Sequence, residues 1–201
     1  MSILKVARIG HPVVRAAAQP VPKQAFREAL FQKLIDDMRE TMYEYEGVGL
    51  AGPQVHEGWR LAVIEVPASD DRSRAEVPFL VLVNPTVTPL GEERESAWEG
   101  CLSVPDLRGV VPRHKRLKLD ALDRHGKPYS LEAQDFFARV IQHECDHLDG
   151  RVYLDRMRDL RTLAFLREFE RWTLHPPHDE DDDHEHGHDH EPAGGDESSD
   201  V

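Results

Sequence analysis

The chain has 201 residues, 39% of them hydrophobic, with 38 acidic and 25 basic residues and a formal net charge of −13. This length suffices for one domain with a core, and the acidic balance disfavours a surface that follows nucleic acid. Two cysteines are too few for a disulfide framework, and no apolar run is long enough to cross a bilayer. We therefore expect a soluble protein of a reducing compartment, the cytoplasm.

The first predicted element is an amphipathic helix over residues 24–45. Leu30, Leu34, Met38 and Met42 recur at i, i+4 intervals, and charged residues fill the other face. A glycine-rich turn, GVGLAGPQV, follows at 47–55.

The rest of the chain predicts more strands than helices. Asp135 can cap a helix that Gly150 ends, and a last helix is predicted over 159–174. Because the elements do not alternate as βαβ units, the predicted fold class is α+β. The predicted strands are 60–67, 79–87, 116–122 and 129–134.

The segment QHECDHLDG at 142–150 suggests a metal site. His143 and His147 are four residues apart, so on a helix both imidazoles can face one ion. Glu144 flanks the same face as a general base, which is the HExxH arrangement. The alternative for so short a pattern is a charged, solvated helix face.

Two histidines leave the site incomplete, and there are two candidate cysteines. Cys145 lies about 200° around the helix from His143, at ~100° per residue, so we expect it to behave as a small buried side chain. Cys101 lies in WEGCLSVP, where Gly100 and Pro105 are a poor fit for a plain core strand. A set of two histidines and one cysteine with water in the fourth position suits hydrolysis, because the metal lowers the pKa of that water.

Three ordered segments resemble the motifs of the peptide deformylase family: GVGLAGPQ at 47–54, EGCLS at 99–103 and QHECDH at 142–147. The resemblance covers roughly residues 1–170. It implies a hydrolase that removes the N-formyl group from the formyl-methionine of newly synthesised polypeptides and releases formate, by attack of a metal-bound hydroxide. It also implies small mixed or antiparallel sheets packed around a central HExxH helix.

The resemblance assigns a role to each matching residue of the reacting centre. Cys101, His143 and His147 match the metal ligands, and Glu144 matches the general base. Gln54 and the backbone N–H of Leu102 match the pair that stabilises the oxyanion. Without the resemblance, Gln54 could simply tie a turn.

Further residues match the substrate site. Gly49 matches a backbone contact to the peptide, and Val48 and Val140 match the pocket for the methionine side chain. Glu99 is assigned to substrate binding or site support, and Arg108 borders the cleft. By composition alone the two valines are core residues, Glu99 is a surface charge and Arg108 is a solvated residue.

The resemblance also implies the cofactor and the partners. Fe²⁺ is the implied metal, and Zn²⁺, Ni²⁺ or Co²⁺ can substitute. The implied partners are N-formylmethionyl nascent peptides, with transient ribosome contact, no direct nucleic-acid binding, no membrane and a monomeric state. The family usually has Ala where this chain has Gly52, and we expect the glycine to loosen the backbone beside Gln54 with a mild effect.

The catalytic domain is predicted over residues 1–175, and a disordered acidic, histidine-rich tail over 176–201. Residues 178–201 hold 11 of the acidic residues and five histidines but no Lys or Arg, so the rest has 27 acidic against 25 basic residues. The tail predicts a solubilising extension or a weak metal binder. Two rival functions remain: a zinc peptidase, and a metal-binding protein with little turnover.

Overall fold

The structure is a computed structural model that describes residues 2–68 and 75–175, so the predicted tail lies outside the described residues. Two long helices are α1, Ala29–Glu44, and α2, Asp135–Leu148. The strands are β1 Gly49–Ala51, β2 Leu61–Val66, β3 Val77–Pro89, β4 Arg94–Cys101, β5 Val104–His114, β6 Arg116–Leu122, β7 Pro128–Gln134 and β8 Ala164–Phe165. No described helix is long and apolar enough to span a membrane.

The larger sheet is antiparallel and lies between the two helices. Its strand order is β1-β2-β3-β6-β7. Alternate residues of β2 face opposite sides: Ala62 and Ile64 pack with α2, and Leu61 and Val63 pack with α1. A strand covered on both faces is apolar throughout, which explains the continuous apolar run of β2. The mixed α/β class with antiparallel sheets and the four predicted strands are confirmed.

The predicted first helix is wrong at its start. Residues Lys23–Arg27 form a 3₁₀ turn, and Glu28 is extended, so the α-helix begins at Ala29. Its buried stripe includes Phe31, Ile35, Met38 and Met42, and Leu30 is 78% exposed. Met38 and Met42 are therefore buried as predicted, whereas Phe31 and Ile35 take the buried places expected for Leu30 and Leu34.

Cys101 lies in a hairpin that the sequence did not predict. It is the last residue of β4, and residues 102 and 103 form the turn into β5. Pro105 was expected to be a poor fit for a plain core strand, yet it lies within β5. The pairing shifts between Glu99 and Cys101, so that Pro105 lies in the irregular part of β5, where a missing N–H removes no regular ladder bond.

The predicted last helix is mostly wrong. Leu160–Thr162 is a 3₁₀ turn, and β8 pairs with the edge of β5, Arg108 opposite Ala164. Only Leu166–Phe169, which we label α3, is α-helical, and a π-helical turn, Glu170–Leu174, continues it. Strand β8 completes the smaller sheet, in the order β4-β5-β8.

Candidate metal centre

Helix α2 and the end of β4 bring three potential ligands together. One ligand atom each of Cys101, His143 and His147 lie within 4.8 Å of one another. The Cys101 Sγ is 3.2 Å from the His147 Nε2, and the two imidazole centroids are 5.0 Å apart. The i, i+4 spacing puts both rings on one helix face, and the hairpin turn delivers the sulfur to that face.

The donor set fits a transition-metal ion. Burial alone would raise the pKa of the Cys101 thiol, but the neighbouring imidazoles of His147 and His143 outweigh it and hold that pKa well below its usual value. The site thus favours a thiolate that requires a positive partner. The His143 Nδ1 lies 3.0 Å from the Glu99 Oε2, which leaves Nε2 available for an ion, as in carboxylate–histidine–metal arrangements.

Glu144 is buried beside this cluster with a free oxygen. It is 4% exposed, and its Oε2 has no hydrogen-bond partner among the described residues. Burial raises the pKa of this carboxyl to about 7. Gly49 makes room for it: a Cβ at that position would overlap the Oε1 and lie 2.7 Å from the Glu144 Cδ. An unpartnered buried carboxylate is costly for the fold, which indicates a chemical role.

Gln54 directs its amide at the cysteine. Its Oε1 accepts a hydrogen bond from the Ala51 N–H at 2.8 Å, which fixes the flip of the side chain. Its Nε2 then lies 3.3 Å from the Ser103 Oγ and 3.6 Å from the Cys101 Sγ. The Leu102 N–H, in the turn after Cys101, donates no hydrogen bond within the described residues. The two predicted oxyanion donors therefore flank the sulfur ligand.

Gly52, which precedes Pro53 and Gln54, lies in a close backbone contact. A Cβ at Gly52 would lie 2.8 Å from the Trp59 carbonyl oxygen and 3.0 Å from that of Glu57. The Gly52 carbonyl also accepts a hydrogen bond from the Glu57 N–H at 2.9 Å. The glycine therefore has a packing role that the sequence did not predict, because it allows two backbone segments to approach closely.

Glu99 supports the ligands from behind. It is 6% exposed. Arg113 donates two hydrogen bonds to its oxygens, both at 2.9 Å, and Arg139 donates a third at 2.8 Å. With His143 as a fourth partner, its carboxylate has little capacity left for a substrate. Of the two alternatives for Glu99, these contacts favour site support over substrate binding.

The ion network continues beneath α2. Arg113 also pairs with Asp146, which in turn pairs with Arg156 nearer the surface. The guanidinium of Arg113 is 4% exposed. Paired and fully hydrogen-bonded charges of this kind fix geometry, and losing one partner leaves a charge buried.

The remaining predicted residues lie around the cluster. Val140 is buried in the α2 core, and Val48 packs against the same core. Arg108 is half-buried, and its guanidinium covers Gly100, where a Cβ would lie 2.8 Å from the Arg108 Nε. Cys145 packs against the core outside the ligand cluster, and burial raises the pKa of its thiol to about 12.

Four residues of the centre were missed by the sequence analysis: Ser103, Arg139, Asp146 and Tyr153. Ser103 is fully buried, and its N–H lies 3.4 Å from the Cys101 Sγ. The ring of Tyr153 stacks on that of His143 with centroids 6.4 Å apart. For Ser103 and Asp146 the sequence offered one indication, since they lie within the motifs EGCLS and QHECDH. Arg139 and Tyr153 give no local signal because their partners are distant in sequence.

Comparison with known proteins identifies relatives along most of the chain. A profile of the polypeptide deformylase family matches residues 3–162. Peptide deformylase 2 of Pseudomonas putida is 44% identical over 164 residues, covering 81% of this chain and 92% of that protein. Peptide deformylase 1 of Streptomyces coelicolor is 47% identical over 167 residues, covering 80% of this chain and 76% of that protein.

Solved structures agree with these relatives. A Met-Ala-Ser-bound class I type b peptide deformylase of Acinetobacter baumannii superposes with a TM-score of 0.73 at 34% identity, covering 78% of this chain and 100% of that one. The peptide deformylase of Thermotoga maritima gives a TM-score of 0.70 at 36% identity, covering 79% of this chain and all of that one. The similarity therefore extends to fold as well as sequence.

Proposed function

The chain belongs to the polypeptide deformylase family, and from that premise we propose how its residues perform the reaction. It is a hydrolase that removes the N-formyl group from nascent polypeptides. Family membership argues against both rival functions, the zinc peptidase and the metal-binding protein with little turnover. The proposal concerns which residues hold the metal, move the proton and bind the peptide.

Cys101, His143 and His147 hold one divalent ion. The observation that carries this assignment is the approach of their ligand atoms to within 4.8 Å, with Glu99 orienting His143. Fe²⁺ is the proposed physiological ion, with Zn²⁺, Ni²⁺ or Co²⁺ as substitutes, since thiolate and imidazole ligands suit all four. When bound, such an ion acidifies a water molecule and polarises a carbonyl.

Glu144 moves the proton. Its buried carboxylate accepts a proton from water as the water oxygen bonds to the formyl carbon. The same carboxyl then donates that proton to the departing amine nitrogen as the C–N bond breaks. The products are formate and a free N-terminus, so one water is consumed for each bond cleaved.

Gln54 and Leu102 stabilise the negative charge that develops on the formyl oxygen. The Gln54 Nε2 is fixed beside Cys101, and the Leu102 N–H has no other acceptor among the described residues. Donors arranged before the reaction are worth about 3–4 kcal/mol each in a hydrolase.

The peptide binds along the free edge of β1. Within the part of the chain that the structure describes, strand β1 pairs only with β2, so the other edge at Gly49 can accept an extended substrate. Val48 and Val140 form the apolar pocket for the methionine side chain. Arg108, beside the cysteine loop, borders the cleft. The enzyme is proposed to act in the cytoplasm as a monomer, in transient contact with the ribosome that carries its substrate.

Formate release from formyl-Met-Ala-Ser tests the assignment. Protein is purified anaerobically with Fe²⁺, and bound metal is counted for wild type, Cys101→Ala and a control, Cys145→Ala. Wild type and Cys145→Ala are expected to bind one equivalent and release formate, whereas Cys101→Ala does neither. Full turnover by Cys101→Ala would refute the ligand set.

A further inference from the structure

The N-terminal segment, residues 2–8, belongs to no helix or strand, yet N–H groups at both of its ends donate hydrogen bonds. On α1, Asp37 accepts from the Ser2 N–H at 2.9 Å, and the Thr41 Oγ1 accepts from the Leu4 N–H at 2.8 Å. Farther along the chain, the N–H groups of Ala7 and Ile9 donate to carbonyls beside the candidate metal centre. The segment therefore connects α1 to the reacting site.

Two N–H groups of this segment hold the two motifs that flank Cys101. Ala7 donates to the Gln54 carbonyl at 2.7 Å, and Ile9 donates to the Ser103 carbonyl at 2.7 Å. The segment thus spans from the Gln54 turn, next to β1, to the β4–β5 turn of the other sheet.

The backbone carbonyl of Gln54 accepts its hydrogen bond from the Ala7 N–H. In the same 3₁₀ turn, the carbonyls of Gly52 and Pro53 accept from Glu57 and His56, whereas the partner of the Gln54 carbonyl is Ala7. Ala7 is itself buried in the cluster that contains Cys101.

The hydrogen bonds link residues 7–9, Gln54 and Ser103 into a closed ring beside the Cys101 sulfur. Ala7 binds the backbone of Gln54, the Gln54 Nε2 reaches the Ser103 Oγ at 3.3 Å, and the Ser103 backbone binds Ile9. The Ser103 N–H and the Gln54 Nε2 lie 3.4 and 3.6 Å from the Cys101 Sγ.

We propose that residues 7–9, the N-terminal strap, act as positioning residues that hold the Gln54 amide at its place beside Cys101. The strap fixes Gln54 through its carbonyl and the opposing turn through Ser103, so the separation between the two is set by one covalent segment. This inference rests on the proposed oxyanion role of Gln54. It adds that the strap stabilises the transition state and does not change metal binding.

Replacement of single amides by esters tests the strap. Semisynthesis places L-lactic acid at position 7, which removes the Ala7 N–H and keeps the side chain. The matched control is the ester at Leu4, which removes a hydrogen bond of the same segment at the α1 end. The position 7 ester is expected to lower kcat about tenfold, a fraction of the ~10²–10³ lost with a whole oxyanion donor. KM and the bound metal stay unchanged, and the Leu4 ester keeps wild-type kcat.

A second readout does not depend on turnover. In the metal-free protein, the Gln54 side-chain amide NMR resonance is expected to shift toward that of a free glutamine in the position 7 ester and not in the position 4 ester. Equal behaviour of the two esters in kcat and in this resonance would overturn the strap.

Combining each ester with Gln54→Ala separates the two proposals. If the strap acts through Gln54, the position 7 ester has no further effect on kcat in the Gln54→Ala background. A persistent tenfold loss there would overturn the strap. Full activity of Gln54→Ala alone would instead refute the oxyanion role on which the strap rests.

Discussion

Residue 49 must be glycine because the Glu144 side chain occupies the space that a Cβ would need. The Gly49 α-carbon faces the buried carboxylate so closely that any Cβ would overlap it. We predict that Gly49→Ala displaces Glu144 and lowers kcat about 10²-fold, part of the ~10²–10⁴ that a positioned acid–base group contributes. Steady-state formate release measures the effect.

Gly58→Ala is the matched control for that substitution. A Cβ at Gly58 meets no atom within 4 Å, so wild-type kcat is expected. Equal, unchanged rates for both variants would show that the carboxylate can lie elsewhere without cost.

Glu144→Gln separates proton transfer from metal binding. The amide has nearly the same shape but cannot accept the proton of the attacking water. We expect bound metal to remain at one equivalent while kcat falls by about 10²–10⁴. Elemental analysis measures the bound metal, and formate release by the same sample measures kcat. Retention of more than a tenth of wild-type kcat would remove Glu144 from the mechanism.

Individual residues were predictable where their spacing is local. His143 and His147 follow from helical periodicity alone, and the same periodicity turned Cys145 away from the cluster. The contacts of Arg139 with Glu99 and of Ser103 with Gln54 were not predictable, since they join residues that are 40 and 49 positions apart. Gly52 shows the same limit, because the Trp59 carbonyl that packs on it is fixed by tertiary structure.

At the scale of elements, α2 is joined to β4 and β5 through buried charge. Arg113 on β5 binds Glu99 on β4 and Asp146 on α2. We predict that Arg113→Met lowers the free energy of unfolding by about 3 kcal/mol, since it leaves buried carboxylates with fewer partners. Denaturant titration of the metal-loaded protein measures this change. Metal affinity is expected to fall about tenfold as His143 loses its support.

Arg116→Met is the control for a surface charge. Its pair with Glu132 is 3.3 Å long between side chains that are 56% and 68% exposed, and such pairs contribute at most about 1 kcal/mol. A comparable loss of stability in both variants would contradict a special role for the buried network.

The elements were predicted well where burial is either continuous or strictly alternating along the strand. Strand β2 has an apolar run because helices cover both faces, and β6 alternates because one face is exposed. Strands β4 and β5 were missed, since β4 carries Arg94, Glu95 and Glu99 and β5 contains Pro105. The segment 159–174 has helical periodicity, but the free edge of β5 recruits Ala164 and Phe165 as a strand.

At the scale of the whole molecule, the centre lies where the two sheets meet. Helix α2 packs on the larger sheet through Val140 and Ile141 and on the smaller through Arg113 and Arg139. The three predicted ligands come from β4 of the smaller sheet and from α2, which packs on both sheets. We therefore expect metal binding to be coupled to folding of the domain.

We expect the acidic tail to take no part in metal binding or catalysis. The family profile ends at residue 162, and residues 178–201 hold nearly all of the net negative charge. We predict that truncation after Pro177 leaves kcat and one bound metal equivalent unchanged but lowers solubility at neutral pH, since it removes carboxylates from a chain otherwise close to neutrality. Calorimetric titration with Ni²⁺ and precipitation curves of both lengths measure the two effects. Loss of a second metal equivalent on truncation would instead make the five tail histidines a metal-binding segment.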